Sequence, residues 1–233
     1  MKVLWLARLS RPDLSFAVVS LAGAISKRSR NHDLQLKRLL GYLKSTTHLG
    51  LEGFVPSTQV PPALKVYCDA DLAGDPLTCK SHTGIFVCLT NDDGLMFPLT
   101  WCSKRQTAVA RSTTEAELAA ANEAVFHEAL PIQVLLEKVM RSSISTTLLE
   151  DNSSCIQIIR AGYSPKLRSM SKTHRISVAA LAEAVEENLI EVSHIDTKAQ
   201  LADIFTKALN RMIFLGLRER IGACTVPQVK SRD

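Results

Sequence analysis

The first fifty residues show a helical pattern of apolar side chains. Apolar residues return every three or four positions, as at Leu14, Val18 and Leu21. This spacing places them on one face of an α-helix, where they can be buried together. The pattern predicts a small helical segment over residues 1–49, with two helices joined near residues 29–31.

A stretch rich in glycine and proline follows this segment. Gly50 and Gly53, together with three prolines, lie within residues 50–62 and disrupt any regular element. We therefore predict a linker there. A domain over residues 63–212 should follow it, and residues 213–233 are expected to form a C-terminal tail.

After the predicted linker, short β-prone runs are followed by alternating helical and β-prone runs. The β-prone runs are residues 64–68, 83–89, 97–101, 146–149 and 189–192, and the helical runs are residues 113–140, 153–161, 177–188 and 200–209. This order indicates an α/β domain with a mixed sheet, and a turn is predicted at residues 91–94. Pro131 lies within the longest helical run, so we expect that helix to bend or restart there.

Composition excludes several classes of protein. Of the 233 residues, 46% are hydrophobic, which is too many for a disordered chain. No apolar run approaches the ~20 residues of a membrane span, and the N-terminus lacks a signal-peptide pattern, so no membrane partner is expected. The six cysteines include no Cys-x-x-Cys pair, and we expect reduced thiols and no zinc.

Basic residues are concentrated in two places. Residues 1–50 hold nine Lys and Arg against two Asp, so they carry more than the whole net charge of +5. A second group, without an acidic residue, comprises Lys166, Arg168, Lys172 and Arg175. Such a group suits the phosphate backbone of a nucleic acid, and it equally suits a solvated loop.

Four acidic residues stand at the boundaries of the predicted elements. They are Asp69, Glu117, Asp151 and Asp203. If the first and fourth strands are parallel neighbours, Asp69 and Asp151 project together from the carboxyl ends of the sheet. Carboxylates crowded in this way repel one another, and they are stable mainly when they hold a hard divalent cation such as Mg²⁺. Taken singly, each aspartate is also an ordinary solvated turn residue.

Six short motifs occur in the order found in a known family. They are Tyr67-Cys-Asp-Ala-Asp-Leu-Ala-Gly-Asp75, Lys80-Ser-His-Thr-Gly84, Trp101-Cys-Ser-Lys-Arg-Gln106, Ser112-Thr-Thr-Glu-Ala-Glu117, Glu150-Asp-Asn152 and Gln200-Leu-Ala-Asp-Ile-Phe-Thr-Lys-Ala-Leu209. This series resembles the ribonuclease H region of copia-type retrotransposon Pol polyproteins. The stretch from Arg11-Pro-Asp13 to Tyr42-Leu-Lys44 resembles the tail of the reverse transcriptase that precedes that region.

The resemblance implies a ribonuclease H-like fold, with a mixed five-stranded sheet flanked by helices. It also implies a metal-dependent endonuclease that hydrolyses the RNA strand of RNA–DNA hybrids during reverse transcription. The family's catalytic and metal-binding set corresponds to Asp69, Glu117, Asp151 and Asp203. Two Mg²⁺ ions, with Mn²⁺ as the alternative, are the implied cofactors.

Two further assignments carry open alternatives. Glu115 competes with Glu117, but Ser112 and Glu115 match a capping box, and residues two apart on a helix point to nearly opposite faces, so Glu117 is favoured. His194 occupies a loop position where related enzymes carry a histidine that assists proton transfer or product release. A surface histidine that closes a strand is an equally good interpretation.

Several polar residues are candidates for contact with nucleic acid. They are Lys104, Arg105, Gln106, Asn152, Lys172, His174 and Arg175. The last three resemble the family's basic Thr-Lys-His segment, and the first three follow the third predicted strand. Asn152 could instead cap a helix.

Two other functions compete with the nuclease. A catalytically inactive nucleic-acid-binding remnant of a decayed retrotransposon would keep the fold, but random decay has no reason to spare all four carboxylates. Another polynucleotidyl transferase of the same fold is opposed by the motif at residues 200–209. The partners implied by the resemblance are an RNA–DNA hybrid and the rest of a reverse transcriptase, which would place the protein in the cytoplasm or the nucleus.

Overall fold

The structure, a computed structural model, describes residues 2–54, 62–91 and 96–225. Its strands are β1 (Leu49–Leu51), β2 (Ala63–Asp71), β3 (His82–Thr90), β4 (Met96–Arg105), β5 (Thr146–Glu150), β6 (Glu191–His194) and β7 (Ala223–Thr225). Its α-helices are α1 (Lys2–Leu9), α2 (Ser15–Gly23), α3 (Arg30–Ser45), α4 (Thr113–Glu123), α5 (Leu130–Met140), α6 (Ser153–Ala161), α7 (Met170–Thr173), α8 (Val178–Glu186) and α9 (Arg211–Arg220). None of the helices in these ranges is long and apolar enough to cross a membrane.

Five strands form one mixed sheet in the order β4-β3-β2-β5-β6. The pairs β2–β3 and β3–β4 are antiparallel, whereas β2–β5 and β5–β6 are parallel. This arrangement confirms the predicted ribonuclease H-like class, a mixed five-stranded sheet flanked by helices. It also makes β2 and β5 parallel neighbours, so their carboxyl ends lie at the same edge of the sheet.

Both faces of the sheet are covered, because the side chains of the central strands alternate between two cores. On β2, Leu64, Val66 and Cys68 pack into the core formed with α4, α6 and α8. Tyr67 points to the opposite core, where it meets Phe205 and Leu217 from the C-terminal part of the chain. By the same alternation, Asp69 follows Tyr67 onto the face that carries the C-terminal residues.

The predicted closing helix over residues 200–209 is wrong in its type. The chain instead forms two short 3₁₀ helices, Thr197–Ala199 and Leu201–Phe205. Every residue of the second one is buried, so the segment has no solvated face such as a surface α-helix presents. It approaches β3 so closely that a Cβ atom at Gly84 would lie 2.5 Å from the carbonyl oxygen of Ala202.

The N-terminal helices are fastened to the sheet domain by buried polar contacts. Arg11 and Asp13 form a bidentate ion pair, and the Tyr42 hydroxyl donates to Asp13 over 2.7 Å. Arg218 of α9 donates to the same Tyr42 hydroxyl over 3.2 Å. On β4, the Trp101 indole donates to the carbonyl of Ala7 over 2.6 Å. The motif that begins at Arg11 is therefore structural in this part of the chain.

The remaining differences from the expected elements have local causes. The long helical run contains a π-helical segment, Ala124–Ala129, and an α-helical pattern resumes at Leu130, which agrees with the missing amide of Pro131. The bend expected there stays a prediction. The predicted linker begins with β1, which pairs with β7, so residues assigned to the linker and to the C-terminal tail share a small sheet. Part of the predicted linker (55–61), all but the first residue of the turn predicted at 91–94, and the tail from 226 lie outside the described residues.

Substitution of Gly84 by alanine should destabilise the protein. The added methyl group would meet the backbone of Ala202 and the side chains of Thr206 and Phe205, and overpacking of this kind costs about 1–3 kcal/mol. Gly41→Ala is the matched control, because nothing lies within 4 Å of a Cβ atom there and alanine stabilises a helix by about 0.5–1 kcal/mol relative to glycine. Urea unfolding of both variants measures the difference, and equal effects at the two positions would contradict the close approach.

Candidate active site

Three carboxylates meet at the shared edge of β2 and β5. One oxygen from each of Asp69, Glu117 and Asp151 lies within 4.8 Å of the others. Asp69 stands near the end of β2, Asp151 follows β5, and Glu117 reaches over from the first turns of α4. The structure thus brings together three of the four acids singled out from the sequence, and it supports Glu117 over Glu115.

The environment of Glu117 strongly disfavours a lone negative charge. Its carboxyl is 6% exposed, and burial together with the nearby carboxylates of Glu150 and Asp69 raises its pKa far above its usual range. The Oε2 atom is buried and has no hydrogen-bond partner among the described residues. An orphaned carboxylate oxygen beside two other carboxylates fits a site for a hard divalent cation.

Asp69 is held by residues from the last predicted motif. The Thr206 hydroxyl donates to its Oδ2 over 2.5 Å, and the Lys207 ammonium lies 3.7 Å from the same oxygen. Lys207 also lies 2.8 Å from Oδ1 of Asp203. Asp203 therefore stands beside Asp69, with a lysine between them, but outside the group of three. Burial and the neighbouring acids outweigh Lys207 and raise the pKa of Asp69 to about 6.

Glu150 lies directly beneath this cluster and was not singled out from the sequence. It is fully buried and accepts hydrogen bonds from the Cys68 thiol and the amide of Asn152. Burial raises its pKa to about 7, against the effect of these donors. The sequence signal was available in Glu150-Asp-Asn152, but nothing in it distinguishes the fully buried acid from its half-buried neighbour, Asp151.

Gln200 is a second residue that sequence reasoning did not assign. It is fully buried, and its amide nitrogen donates to the carbonyl oxygens of Cys68 on β2 and Leu149 on β5. Those two residues immediately precede Asp69 and Glu150. The side chain therefore links the two strands at the level of the carboxylates and helps to fix the distance between them.

Glu115 has a structural role, as the sequence predicted, although its contacts differ from a capping box. The Ser112 hydroxyl accepts from the amide of Glu115, as expected at a helix start. The Glu115 carboxylate, however, accepts from the amide of Arg111 instead of Ser112, and it lies 3.1 Å from the imidazole of His174. Because both side chains of that pair are almost fully buried, the contact fastens the segment around His174 to the start of α4.

Two of the predicted nucleic-acid contacts are corrected by the structure. His174 cannot reach a phosphate in this conformation, because its imidazole is buried against Glu115. Gln106 is also buried, and its amide donates to Thr83 and to the carbonyl of Ala116. Both residues stabilise the framework, and their polar side chains serve internal hydrogen bonds or ion pairs.

The other five candidates differ in how accessible they are. Lys172 and Arg175 are exposed and have no side-chain partner among the described residues. Lys104 and Arg105 lie at the end of β4 instead of after it, and they pair with Glu123 and Asp75. The Asn152 side chain accepts two amide hydrogen bonds at the start of α6, which is the helix-cap role considered as its alternative.

His194 ends strand β6 and does not lie in a loop. It pairs in register with Glu150, and its side chain is exposed. No side-chain hydrogen bond or ion pair is found for it within the described ranges. The structure thus leaves it at the correct edge of the sheet without a contact to the three carboxylates.

The sheet order and the carboxylate cluster define a ribonuclease H-like domain. The retrovirus-related Pol polyprotein from transposon RE1 of Arabidopsis thaliana is 31% identical over 218 residues, which cover 94% of this chain and 14% of the polyprotein. The corresponding protein from transposon TNT 1-94 of Nicotiana tabacum is 31% identical over 215 residues, or 91% of this chain and 15% of that protein. The chain is therefore similar to one segment of the retrovirus-related Pol polyproteins of transposons, and it spans about a seventh of their length.

Other comparisons add less. No profile of a known protein family matches the chain. The solved structure of LC11-RNase H1, isolated from compost by a metagenomic approach, is 18% identical and covers 62% of this chain and 92% of its own, with a TM-score of 0.43.

The stability of the metal-free protein should depend on pH in a way that reports the crowded carboxylates. In the folded protein the pKa values of Asp69 and Glu150 are about 6 and about 7, whereas carboxyls of an unfolded chain titrate near 4. Because the folded form holds these protons more tightly, its stability should be lost as pH rises from about 4 to about 7. We expect the unfolding temperature in EDTA to fall across that range, and Mg²⁺ to reverse the fall at neutral pH.

Asp69→Asn is the matched variant for this measurement, since it removes one carboxylate at constant size. It should flatten the fall in EDTA and weaken the effect of Mg²⁺. An unfolding temperature that rises steadily through the same range in EDTA would show that burial does not raise the pKa values of these carboxyls.

Proposed function

We propose that this chain is a metal-dependent ribonuclease H domain that hydrolyses the RNA strand of RNA–DNA hybrids in retrotransposon reverse transcription. The observation that carries the proposal is the convergence of Asp69, Glu117 and Asp151 within 4.8 Å at the carboxyl ends of parallel strands. The similarity to transposon Pol polyproteins supports the choice of substrate, because reverse transcription produces RNA–DNA hybrids. The inactive remnant considered above is opposed by the presence of the complete carboxylate set.

The residues fit a divalent cation by the chemistry of their donors. All three offer carboxylate oxygens, which are the ligands that Mg²⁺ and Mn²⁺ prefer. A cation would also satisfy the orphaned oxygen of Glu117 and relieve the repulsion around Asp69. We assign Mg²⁺, with Mn²⁺ as the alternative, to Asp69, Glu117 and Asp151, and a second ion to the side of Asp69 that faces Asp203.

A divalent cation bound there would polarise the scissile phosphate and lower the pKa of an attacking water molecule. The protein's own residues keep the site in shape for that chemistry. Thr206 orients the carboxylate of Asp69, and Gln200 ties together the strands that carry Asp69 and Asp151. His194 is the candidate for proton transfer or product release at the exposed edge.

The nucleic acid would be held mainly through its phosphates. Lys172 and Arg175 are exposed, and the His174–Glu115 contact fastens their segment to the helix that carries Glu117. Lys104 and Arg105 can contribute once they exchange their carboxylate partners for phosphate. Asn152 lies beside Asp151, and because only its Oδ1 atom accepts the capping bonds, its side-chain amide nitrogen is left to donate to a ribose hydroxyl.

Cleavage of a labelled RNA–DNA hybrid by the purified protein in Mg²⁺ tests the proposal. Asp69→Asn, Glu117→Gln and Asp151→Asn should each lower the rate at least about tenfold. Loss of a residue that only orients a metal ligand typically costs about 10–100-fold, and loss of the ligand itself should cost no less. Glu183→Gln is the matched control for Glu117→Gln, since Glu183 is exposed on α8, and its rate should remain at the wild-type value.

Duplex RNA and duplex DNA serve as substrate controls. Cleavage of duplex DNA at a rate similar to the hybrid would favour another polynucleotidyl transferase of this fold. A well-folded protein that binds the hybrid but cleaves nothing would establish the inactive remnant instead.

A further inference from the structure

The ammonium group of Lys207 occupies the space between two acids of the site. Its Nζ atom lies 2.8 Å from Oδ1 of Asp203 and 3.7 Å from Oδ2 of Asp69. Lys207 follows Asp203 by four residues, so the turn after the 3₁₀ helix brings the lysine back over the aspartate. One positive charge thus bridges two carboxylates that would otherwise face each other directly.

The surroundings of Lys207 favour a positive charge at this position. Two carboxylate oxygens, one from Asp69 and one from Asp203, lie within 4 Å of its Nζ atom, and nearby opposite charges stabilise an ammonium group. Apart from Lys207, no group among the described residues donates to Oδ1 of Asp203. This buried oxygen therefore has the partly exposed Lys207 side chain as its one counter-charge in the described part of the chain.

A divalent cation and the ammonium would compete for the same oxygens. A second cation would be strongly disfavoured in the gap between Asp69 and Asp203 while the ammonium stays there, because like charges about 4 Å apart repel each other strongly at the effective dielectric of a protein surface. The group of Asp69, Glu117 and Asp151 is different, since none of the described ion pairs of Lys207 involves Glu117 or Asp151. The position between Asp69 and Asp203 is therefore already occupied by a positive charge of the protein, the Lys207 ammonium, whereas the group of Asp69, Glu117 and Asp151 is not.

We propose that Lys207 acts as the built-in second cation of the free protein. The free protein then binds one divalent ion tightly, at Asp69, Glu117 and Asp151, and accepts a second between Asp69 and Asp203 only after Lys207 moves away. The inference rests on the proposed metal-dependent function and adds the order in which its cation sites fill.

The Lys207 side chain can move towards solvent, and a bound nucleic acid offers it another anion. Its side chain is 36% exposed, so the ammonium can swing towards solvent on its flexible stem. A phosphate of a bound nucleic acid is an anion of the right kind to receive it. Arrival of a phosphodiester would in this way open the second cation position at the moment when a substrate is present.

Titration of the free protein with Mn²⁺, followed by the electron paramagnetic resonance signal of unbound Mn²⁺, tests the proposal without nucleic acid. The wild type should bind one ion tightly. Lys207→Met keeps the length of the side chain but removes its charge, and it should bind a second ion at least about tenfold more tightly than the wild type does. Lys207→Arg keeps the charge and should behave as the wild type.

Lys198→Met is the matched control, because Lys198 is exposed in the preceding 3₁₀ helix and its side chain pairs with no described carboxylate. It should bind one ion. In EDTA, Lys207→Met should also unfold at a lower temperature than Lys198→Met, since Asp69 and Asp203 then repel each other, and Mn²⁺ should raise its unfolding temperature by more than it raises that of the wild type.

Two results would overturn the inference, and they can be told apart. If the wild type bound two ions of similar affinity, or if Lys207→Met bound only one, the proposed role of Lys207 would be refuted and the metal site itself would stand. The first of these outcomes is measured on the wild type, so it does not depend on whether a variant folds. Failure of every protein to bind Mn²⁺, with no difference between the wild type and Asp69→Asn, would overturn the metal-dependent function together with this inference.

Discussion

Repulsion between buried carboxylates is the constraint around which this domain is arranged. Asp69, Glu117, Glu150 and Asp151 come together where β2 and β5 end, and three of them are almost inaccessible to solvent. Removing charged groups from water is costly, and crowding charges of one sign adds to that cost. A fold that keeps such a cluster must either supply positive charge, leave protons on the acids, or hold donors against them.

The structure uses all three means. Lys207 supplies a positive charge beside Asp69 and Asp203. Glu117 and Glu150 have raised pKa values, so protonation relieves part of the strain when no cation is bound. Thr206 and the amide of Asn152 donate to Asp69 and Glu150. None of these provides a hydrogen-bond partner for the Oε2 atom of Glu117 among the described residues. A cation bound at this oxygen would therefore relieve the largest part of the remaining electrostatic cost.

Much of this could be predicted from the sequence, because the relevant signals are local. The meeting of Asp69 and Asp151 follows from strand ends and the parallel pairing of two strands. The choice of Glu117 over Glu115 follows from helix-start chemistry and from helical geometry, and the π-helical segment before Pro131 agrees with the missing amide of that proline.

What could not be predicted depends on contacts between distant segments. His174 and Gln106 look like phosphate contacts in the sequence, but their burial is decided by Glu115 and Thr83, which come from other parts of the chain. The 3₁₀ helix that carries Asp203 depends on its close approach to Gly84. Helix α9 lacks a recognisable motif, and its role becomes visible only where Leu217 enters the second core.

The contact between Arg218 and Tyr42 has a consequence for how the domain can be divided. Tyr42 also holds Asp13, whose partner Arg11 is buried. Cutting the chain within residues 50–62 would therefore remove β1 from β7, take away the hydroxyl that Arg218 faces, and uncover the side of β4 on which Trp101 meets Ala7. For recombinant expression, these contacts favour a piece that includes the N-terminal helices over one that begins in the glycine- and proline-rich stretch.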